Sequence, residues 1–581
     1  MKKRLSALLS ILLVLGLVVG CTPKAPATKG TYNAFALAAG LGAVFDGEAD
    51  YHSKNIRPFG EGVSTNTSRY SNPENDRLIE EMRKQNPNTE EGTNEYQRLF
   101  REWVKLMNDE LPLVPMYSNE YYDGYNSDKL TSFVTKTMFG WQQAILKATV
   151  ADGVESITVG TPEYNGEFIQ GWGNSSYDAA IRDLVAESML TTNEEGEMVW
   201  GGMLENLVVS DDQKEWTFTL KDGLKFSDGA PLTTNDVLFT FLFYSDPTLV
   251  EAEGSPAYHP EELGGFAEYH EAAKDGNRDV SLFTGIEVVD DHVIKFTVPE
   301  PIFGTWSKLF TYHILPAHLY APDGLDKIDV KTVVATYLNN PVGSGAYKLV
   351  DYVHNEFVTL ELNDLYVGDF DGDKPVVPRI IGKVVSSDTD HEQLIAGDID
   401  ILPGLIEWEK IQAIDATDGR AVNGYPRHGY GYVAFHTDYG VGSFKEIRQA
   451  FAWYMDRDAF GQAMIGPNAT LVHGPYSLTY WMIDEAFEDA ELVQYQKDPA
   501  KARAVLEAAG WVQGDDGIYA KNDLYRNEIK AVITVGVGNN AWKNNLDLLL
   551  ADSVAEAGFQ VNIEVVDFNV LLDHFYGAFK G

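Results

Sequence analysis

The chain has 581 residues, 44% of them hydrophobic, and its 45 Lys plus Arg against 87 Asp plus Glu give a formal net charge of −42. Such a surface repels phosphate backbones and anionic headgroups, which argues against nucleic-acid binding. A single cysteine excludes an internal disulfide, so the fold must rest on its hydrophobic cores.

Taken in chain order, Lys2, Lys3 and Arg4 precede an apolar run from Leu5 to Gly20 that ends in Val18-Val19-Gly20-Cys21. The run is short for a membrane-spanning helix and suits the core of a signal peptide. Small residues before a cysteine fit cleavage there and attachment of lipid to the thiol. The segment resembles a bacterial lipoprotein signal. Residues 1–20 are expected to be the signal, Cys21 the lipidation site, and the polar, Pro-containing stretch 21–30 a tether. The predicted location is extracytoplasmic, at the cell surface or in the periplasm, anchored by lipid.

Beyond the tether, strand and helix signals are mixed. Glu215–Leu220 alternates as a half-buried strand does, and turns follow at Lys221–Gly223 and Ser227–Gly229. Thr233 to Asp236 has the spacing of a capping box and opens an apolar helix over 237–244. Residues 286–289 and 292–298 read as strands joined by a turn at Asp290-Asp291. Glu446–Phe460 places Ile447, Ala450, Phe451 and Tyr454 on one helical face. Asp498-Pro499 starts a helix that Gly510 stops, 560–566 is a strand and 570–579 a helix. The mixture over this length predicts an α/β body of several lobes.

Five landmarks then carry a family likeness: Trp216–Val237, Pro341-Val-Gly-Ser-Gly-Ala-Tyr347, Gly397-Asp-Ile-Asp400, Ile447–Arg457 and Asp498–Gly510. In this order they resemble the family 5 solute-binding proteins, the oligopeptide, dipeptide and nickel receptors of ABC importers. The resemblance implies a two-lobed, periplasmic-binding-protein-like fold of class II with an extra inserted subdomain. One feature is displaced. Arg69–Leu78 and Asp109–Tyr117 resemble segments from near the family's C-terminus, while Glu155–Val159 resembles its mature N-terminus. Thr31–Ala39 resembles the strand that should follow Gly581. The implied arrangement is a circular permutation joined near 150–151, whether natural, designed or a product of misassembled fragments. The expected division is 31–114 for the permuted C-terminal part of the second lobe and 115–196 for the first lobe. An inserted subdomain over 197–300, the first lobe again over 301–424 and the second lobe over 425–581 complete it.

The resemblance also implies a ligand, a peptide or another small solute, closed between hinged lobes and passed to an ABC permease with its ATPases. A monomer without cofactor is expected. Peptide receptors of the family pair the ligand's α-amine with an aspartate after a Gly-Trp pair. The matching stretch here is Gly40, Leu41, Gly42, Ala43, Val44, Phe45 and Asp46, with Leu41 at the tryptophan's place and Val44 at the aspartate's. Asp46 is the substitute acid, and a different peptide register, a blocked peptide or a non-peptide ligand fits equally. The Gly- and aromatic-rich loop 165–177 supplies Trp172, Asn174 and Tyr177 as further contacts, with Tyr117 and Trp481 beside them.

No catalytic set emerges. His391-Glu392 lacks a second histidine at metalloprotease spacing, and the glycine pairs 343/345 and 536/538 lack a Walker lysine. His259, Glu261, Glu262, His270 and Glu271 fall within a short polar segment and are read as a solvated excursion, with no metal site expected. The alternatives on the same scaffold are a surface signalling receptor and a peptide hydrolase.

Overall fold

The computed structural model describes residues 32–173, 175–522, 527–538 and 540–577. The leader, Cys21 with the tether, Thr31, Asn174 and Gly581 lie outside the described residues.

The strand Leu113–Asn126 organises the molecule. Its apolar first half pairs antiparallel with Gly429–Phe435, setting Leu113 opposite Ala434 and Tyr117 opposite Gly431. Its polar second half pairs with Arg420–Pro426, setting Glu120 opposite Pro426 and Asn126 opposite Arg420. One strand thus leaves the second lobe and enters the first, and the segment 420–435 returns beside it. Two adjacent connections of this kind form a hinge, because each can absorb rotation without breaking either core.

On the first-lobe side the sheet runs Tyr347–Val353, Phe357–Leu362, Arg379–Val384, Ile157–Thr161, Ile401–Leu405. On the second-lobe side it runs Gly429–Phe435, Ala34–Gly40, Val532–Val537, Gln560–Val565. Ala34–Gly40 lies antiparallel to Gly429–Phe435 and parallel to Val532–Val537. Its alternate residues serve two cores. Ala34 and Ala36 pack in the core of Ile447, Phe451 and Leu506, while Phe35 packs in that of Leu99, Phe100 and Trp103. The period of two explains an apolar run without a polar face. Tyr32 rests edge-on against His574 at 5.1 Å between ring centroids, and Gly60 N–H donates to the Gly577 carbonyl at 2.8 Å.

A third core runs from Ile169 to Val333, wider than the 197–300 expected for the inserted subdomain. Its four-stranded sheet, ordered Ile286–Val288, Val293–Thr297, Glu215–Leu220, Leu204–Val209, packs with the nearly all-buried helix Thr234–Ser245. The predicted capping box is present, with Thr233 N–H donating to Asp236 Oδ2 at 2.8 Å. Two expectations are corrected. The helix expected over 446–460 is two helices, Lys445–Tyr454 and Arg457–Ile465, because Met455 is extended and Asp456 caps the second through Ala459 N–H at 3.0 Å. Its apolar period continued across the break since both helices face one core. The segment around His259 is not a solvated excursion: His259 is 6% exposed, with its ring 5.7 Å from Phe266.

The second lobe touches the body of the third core directly. Phe303 stacks on Tyr96 with centroids 3.8 Å apart, and its N–H donates to the Arg83 carbonyl at 2.8 Å. Arg83 Nη2 donates to Glu262 Oε1 at 2.6 Å, and Lys54 pairs with Glu261 at 3.6 Å. The lobes are closed along this edge.

Candidate ligand-binding cleft

The loop leaving Ala34–Gly40 forms the centre of the cleft. Leu41 N–H donates to the His428 carbonyl at 2.9 Å, and the Gly42 carbonyl accepts from both His428 Nε2 and the Tyr480 hydroxyl at 2.9 Å. Tyr96 O–H donates to the Phe45 carbonyl at 2.6 Å. The loop is therefore tied to the hinge and to helix Glu90–Glu110 before any ligand arrives. Such prior ordering lowers the entropy lost on binding. Gly429 permits the close approach of strand and hinge: a Cβ there would sit 2.0 Å from the Ala39 carbonyl oxygen.

Between this loop and the facing residues Gln170, Tyr258, Gly304 and Thr311 lies a cavity of about 410 Å³. A second of about 310 Å³ continues from it under Tyr430, Tyr432 and Tyr576, sharing Gly40, Leu41, Asp50 and Tyr51. A third of about 340 Å³ extends past Gln170 and Thr311 towards Glu187 and His313. Volumes of this size hold small solutes. Tyrosines dominate one wall, and Tyr51 and Tyr430 share a hydroxyl hydrogen bond of 3.1 Å.

The acids of the loop differ in their partners. Asp46 Oδ2 lies 3.2 Å from Arg83 Nε, and Asp46 Oδ1 accepts from Glu48 N–H at 3.1 Å. Burial raises the Asp46 carboxyl and Arg83 opposes that rise. Burial also opposes the charge on Arg83, but Asp46, Glu262 and Glu48 more than offset it. Asp50 is different. Its carboxylate makes no hydrogen bond or ion pair among the described residues, and it borders two of the cavities. Its depth in the protein, then Asp46 and Glu48, push it up to about 6. The side chain is nonetheless open to the cavity, so water there moderates the shift. Glu187, bordering the third cavity, is pushed by burial up to about 8.

Of the residues singled out from sequence, Gly40, Leu41, Gly42 and Asp46 come together on the central cavity. Trp172, Tyr117, Tyr177 and Trp481 lie elsewhere. Trp172 is 3% exposed, donates Nε1–H to the Ala252 carbonyl at 2.8 Å and belongs to the third core. Tyr117 is 2% exposed under the hinge, between Phe460 and Trp542. Tyr177 is half-buried against the first-lobe core. Trp481 is 52% exposed at the outer edge, its ring 6.3 Å from Tyr96. Sequence reasoning missed Asp50, Gln170, Tyr430, Tyr432 and Tyr480. The one available signal was the alternation of Tyr430 and Tyr432 with glycines in Gly429–Phe435, which places both tyrosines on one face.

Comparison with known proteins settles the family. Residues 197–579 match the profile of the bacterial extracellular solute-binding proteins, family 5 middle region, which is more than half of the chain. The chain is a family 5 extracellular solute-binding protein. Among the relatives of this family 5 protein is DdpA of Escherichia coli, named as a probable D,D-dipeptide-binding periplasmic protein, 28% identical over 306 residues, 53% of this chain and 52% of that one. The chain thus spans about half of that relative's length. The oligopeptide-binding protein AppA of Bacillus subtilis is 22% identical over 435 residues, 72% of each chain. The lactococcal OppA structure, closed on an endogenous peptide, superposes with a TM-score of 0.56 at 17% identity, covering 72% of this chain and 78% of that one. The two-lobed fold of this family 5 protein agrees with that neighbour.

Proposed function

We propose that this family 5 protein captures a peptide, or a small solute of similar size with a positively charged end, between its lobes and delivers it to an ABC permease. The observation that carries the reading is the Asp50 carboxylate, without a hydrogen bond or ion pair among the described residues, in a tyrosine-walled cavity at the lobe junction. Asp46, first in line from the sequence, is held by Arg83, which leaves Asp50 to meet a cation. The tyrosines add hydroxyls and flat apolar faces that suit side chains of varied shape. The peptide- and dipeptide-binding names of the relatives support the same reading. Closing two lobes over a ligand stabilises the closed state by the ligand's differential affinity for it, and a permease can read that state. No group in this cycle has to break a bond, and the reading is of a receptor without turnover.

The proposal extends to the anchor and the chain order. Cys21 carries lipid, and the body hangs outside the cytoplasm on the tether. The lobes are permuted relative to the family. This is supported by Ala34–Gly40 sitting between Gly429–Phe435 and Val532–Val537, and by Tyr32 lying against His574. Isothermal titration of the purified chain with peptides of two to nine residues tests the receptor reading. Saturable binding with no cleavage by mass spectrometry is expected, and silence of a folded sample towards all peptides ends it. Loss of a lipid-sized mass shift in Cys21→Ala tests the anchor.

A further inference from the structure

The cavity of about 340 Å³ that holds Glu187 opens from the central one, with which it shares Gln170, Ser307 and Thr311. Separate stretches of chain meet around it. Ala43 comes from the loop after Ala34–Gly40, Gln142 from helix Trp141–Lys147, Glu187 from the segment after helix Ser176–Val185, and Trp306 from helix Thr305–Leu309. A ligand seated at Asp50, which borders the central cavity, can therefore send one of its side chains here without leaving the cleft.

The lining carries one sign of charge. Asp183, Glu187 and Asp369 border the cavity, and no lysine or arginine does. The cavity of about 500 Å³ at the closure edge carries both signs, with Lys54, Lys274 and Lys308 beside Glu48, Glu261 and Glu262. Two of the three acids are already engaged. Asp183 Oδ1 lies 3.5 Å from His313 Nε2, and its Oδ2 accepts from Gln142 Nε2 at 3.2 Å. Asp369 Oδ1 accepts the N–H groups of Asp371 and Asp373, both at 2.9 Å, and its Oδ2 lies 3.8 Å from Lys147 Nζ. Glu187 differs: its carboxylate makes no hydrogen bond or ion pair among the described residues. Ser344 Oγ is buried without a partner, and Lys221 Nζ donates to the Gly202 carbonyl at 2.7 Å. Burial raises the Glu187 carboxyl by more than these two neighbours lower it.

Tyr366 stands beside this acid. It is 6% exposed, borders the same cavity, and its hydroxyl has no hydrogen-bond partner among the described residues. The charges of Glu187 and Asp369 both act on it. Polar groups enclosed without partners cost free energy until a ligand supplies what they lack. A carboxylate and a phenolic oxygen can both accept, so one positively charged donor satisfies the pair. Met138, Leu146, Trp306 and Phe370 give the cavity apolar walls, along which a long aliphatic stem can lie with its charged head beyond.

We propose that this cavity is a side-chain subsite selective for lysine or arginine, in which Glu187 and Tyr366 receive the cationic head. The preferred ligand is then a peptide with its free amine at Asp50 and a basic residue further along. The inference rests on the peptide-receptor reading and narrows it to one substrate class.

The test is calorimetry of the full chain with five-residue alanine peptides, each with a free amine and a single lysine moved from the second position to the fifth. Partner peptides carry norleucine, which keeps the stem and loses the charge, or glutamine, which offers an uncharged donor. At one position lysine should bind about 10- to 150-fold more tightly than norleucine, the worth of a hydrogen bond to a charged group. Glu187→Gln, equal in shape and folded by its near-ultraviolet spectrum, should bring the lysine and norleucine peptides together. A merely structural role for Glu187 would weaken both alike and keep their ratio. Asp50→Asn should weaken both and preserve the ratio. Peptides that bind with no preference for lysine at any position, glutamine bound as tightly as lysine, or a preference that survives Glu187→Gln would overturn the subsite and leave the receptor reading standing. Silence towards every peptide would end the receptor reading and the subsite with it.

Discussion

Asp50→Asn is the sharpest perturbation of the cleft, because it removes one charge and almost no volume. A cation docked about 4 Å from a carboxylate gains roughly 4 kcal/mol at an effective dielectric of about 20. Desolvation of both groups returns part of that, and hydrogen bonds to charged groups net about 1.5–3 kcal/mol. At about 1.4 kcal/mol per decade, the variant should bind a free-amine peptide about 10- to 150-fold more weakly. The assay is calorimetry with one peptide in free-amine and N-acetylated forms. Wild type should prefer the free amine, and the variant should lose that preference. The pH dependence follows from Asp50 being raised from 3.8 towards about 6, with water in the cavity moderating the rise. Only the carboxylate attracts a cation, so wild-type affinity should fall as pH drops through about 6 while the variant's stays flat. Stability moves the other way. Between 3.8 and about 6 the unfolded chain loses this proton first, so the unliganded wild type weakens as pH rises through that window and is level above it. The variant lacks that slope and should be at least as stable at pH 7. Equal affinity of variant and wild type for the free-amine peptide would refute the assignment of Asp50.

Three further outcomes follow. Arg83→Met leaves Asp46, Glu48 and Glu262 without their shared cation at a position 19% exposed. Uncompensated buried charge costs about 3–5 kcal/mol, so small-angle scattering of the unliganded variant should show a larger radius of gyration; an unchanged curve counts against the closure contact. Trp172→Ala should lower unfolding free energy by about 3–5 kcal/mol in denaturant, with peptide affinity unchanged; a loss of affinity at constant stability would restore Trp172 to the cleft. Glu187 stands at about 8 against 4.5 in the unfolded chain, so it makes the protein less stable as pH rises across that interval and contributes no slope above it. Glu187→Gln should therefore raise the midpoint of thermal unfolding relative to wild type at pH 8.5 more than at pH 5, and an equal difference at both values would contradict the assignment.

Local pattern was informative wherever one element's own residues decide its state. The capping box at Thr233 and Asp236, the alternation of Glu215–Leu220 and the helix opened by Asp498-Pro499 all appear where spacing placed them. Leu41 and Gly42 follow directly from the strand Ala34–Gly40, and with Gly40 they border the central cavity. Long-range pairing was not legible. Asp46 was the candidate acid in the sequence, but Arg83, distant along the chain, pairs with it, and the proposal therefore turns to Asp50. Trp172 and Tyr117 looked like cleft aromatics and are enclosed by Phe243, Phe460 and Trp542 from other elements. His259 and His270 looked solvated until a helix end fifteen residues upstream of His259 offered its carbonyls. Chain pattern reports which side of an element turns inward; it carries no record of which distant element covers that side, and in this molecule that covering separates core, closure contact and ligand wall.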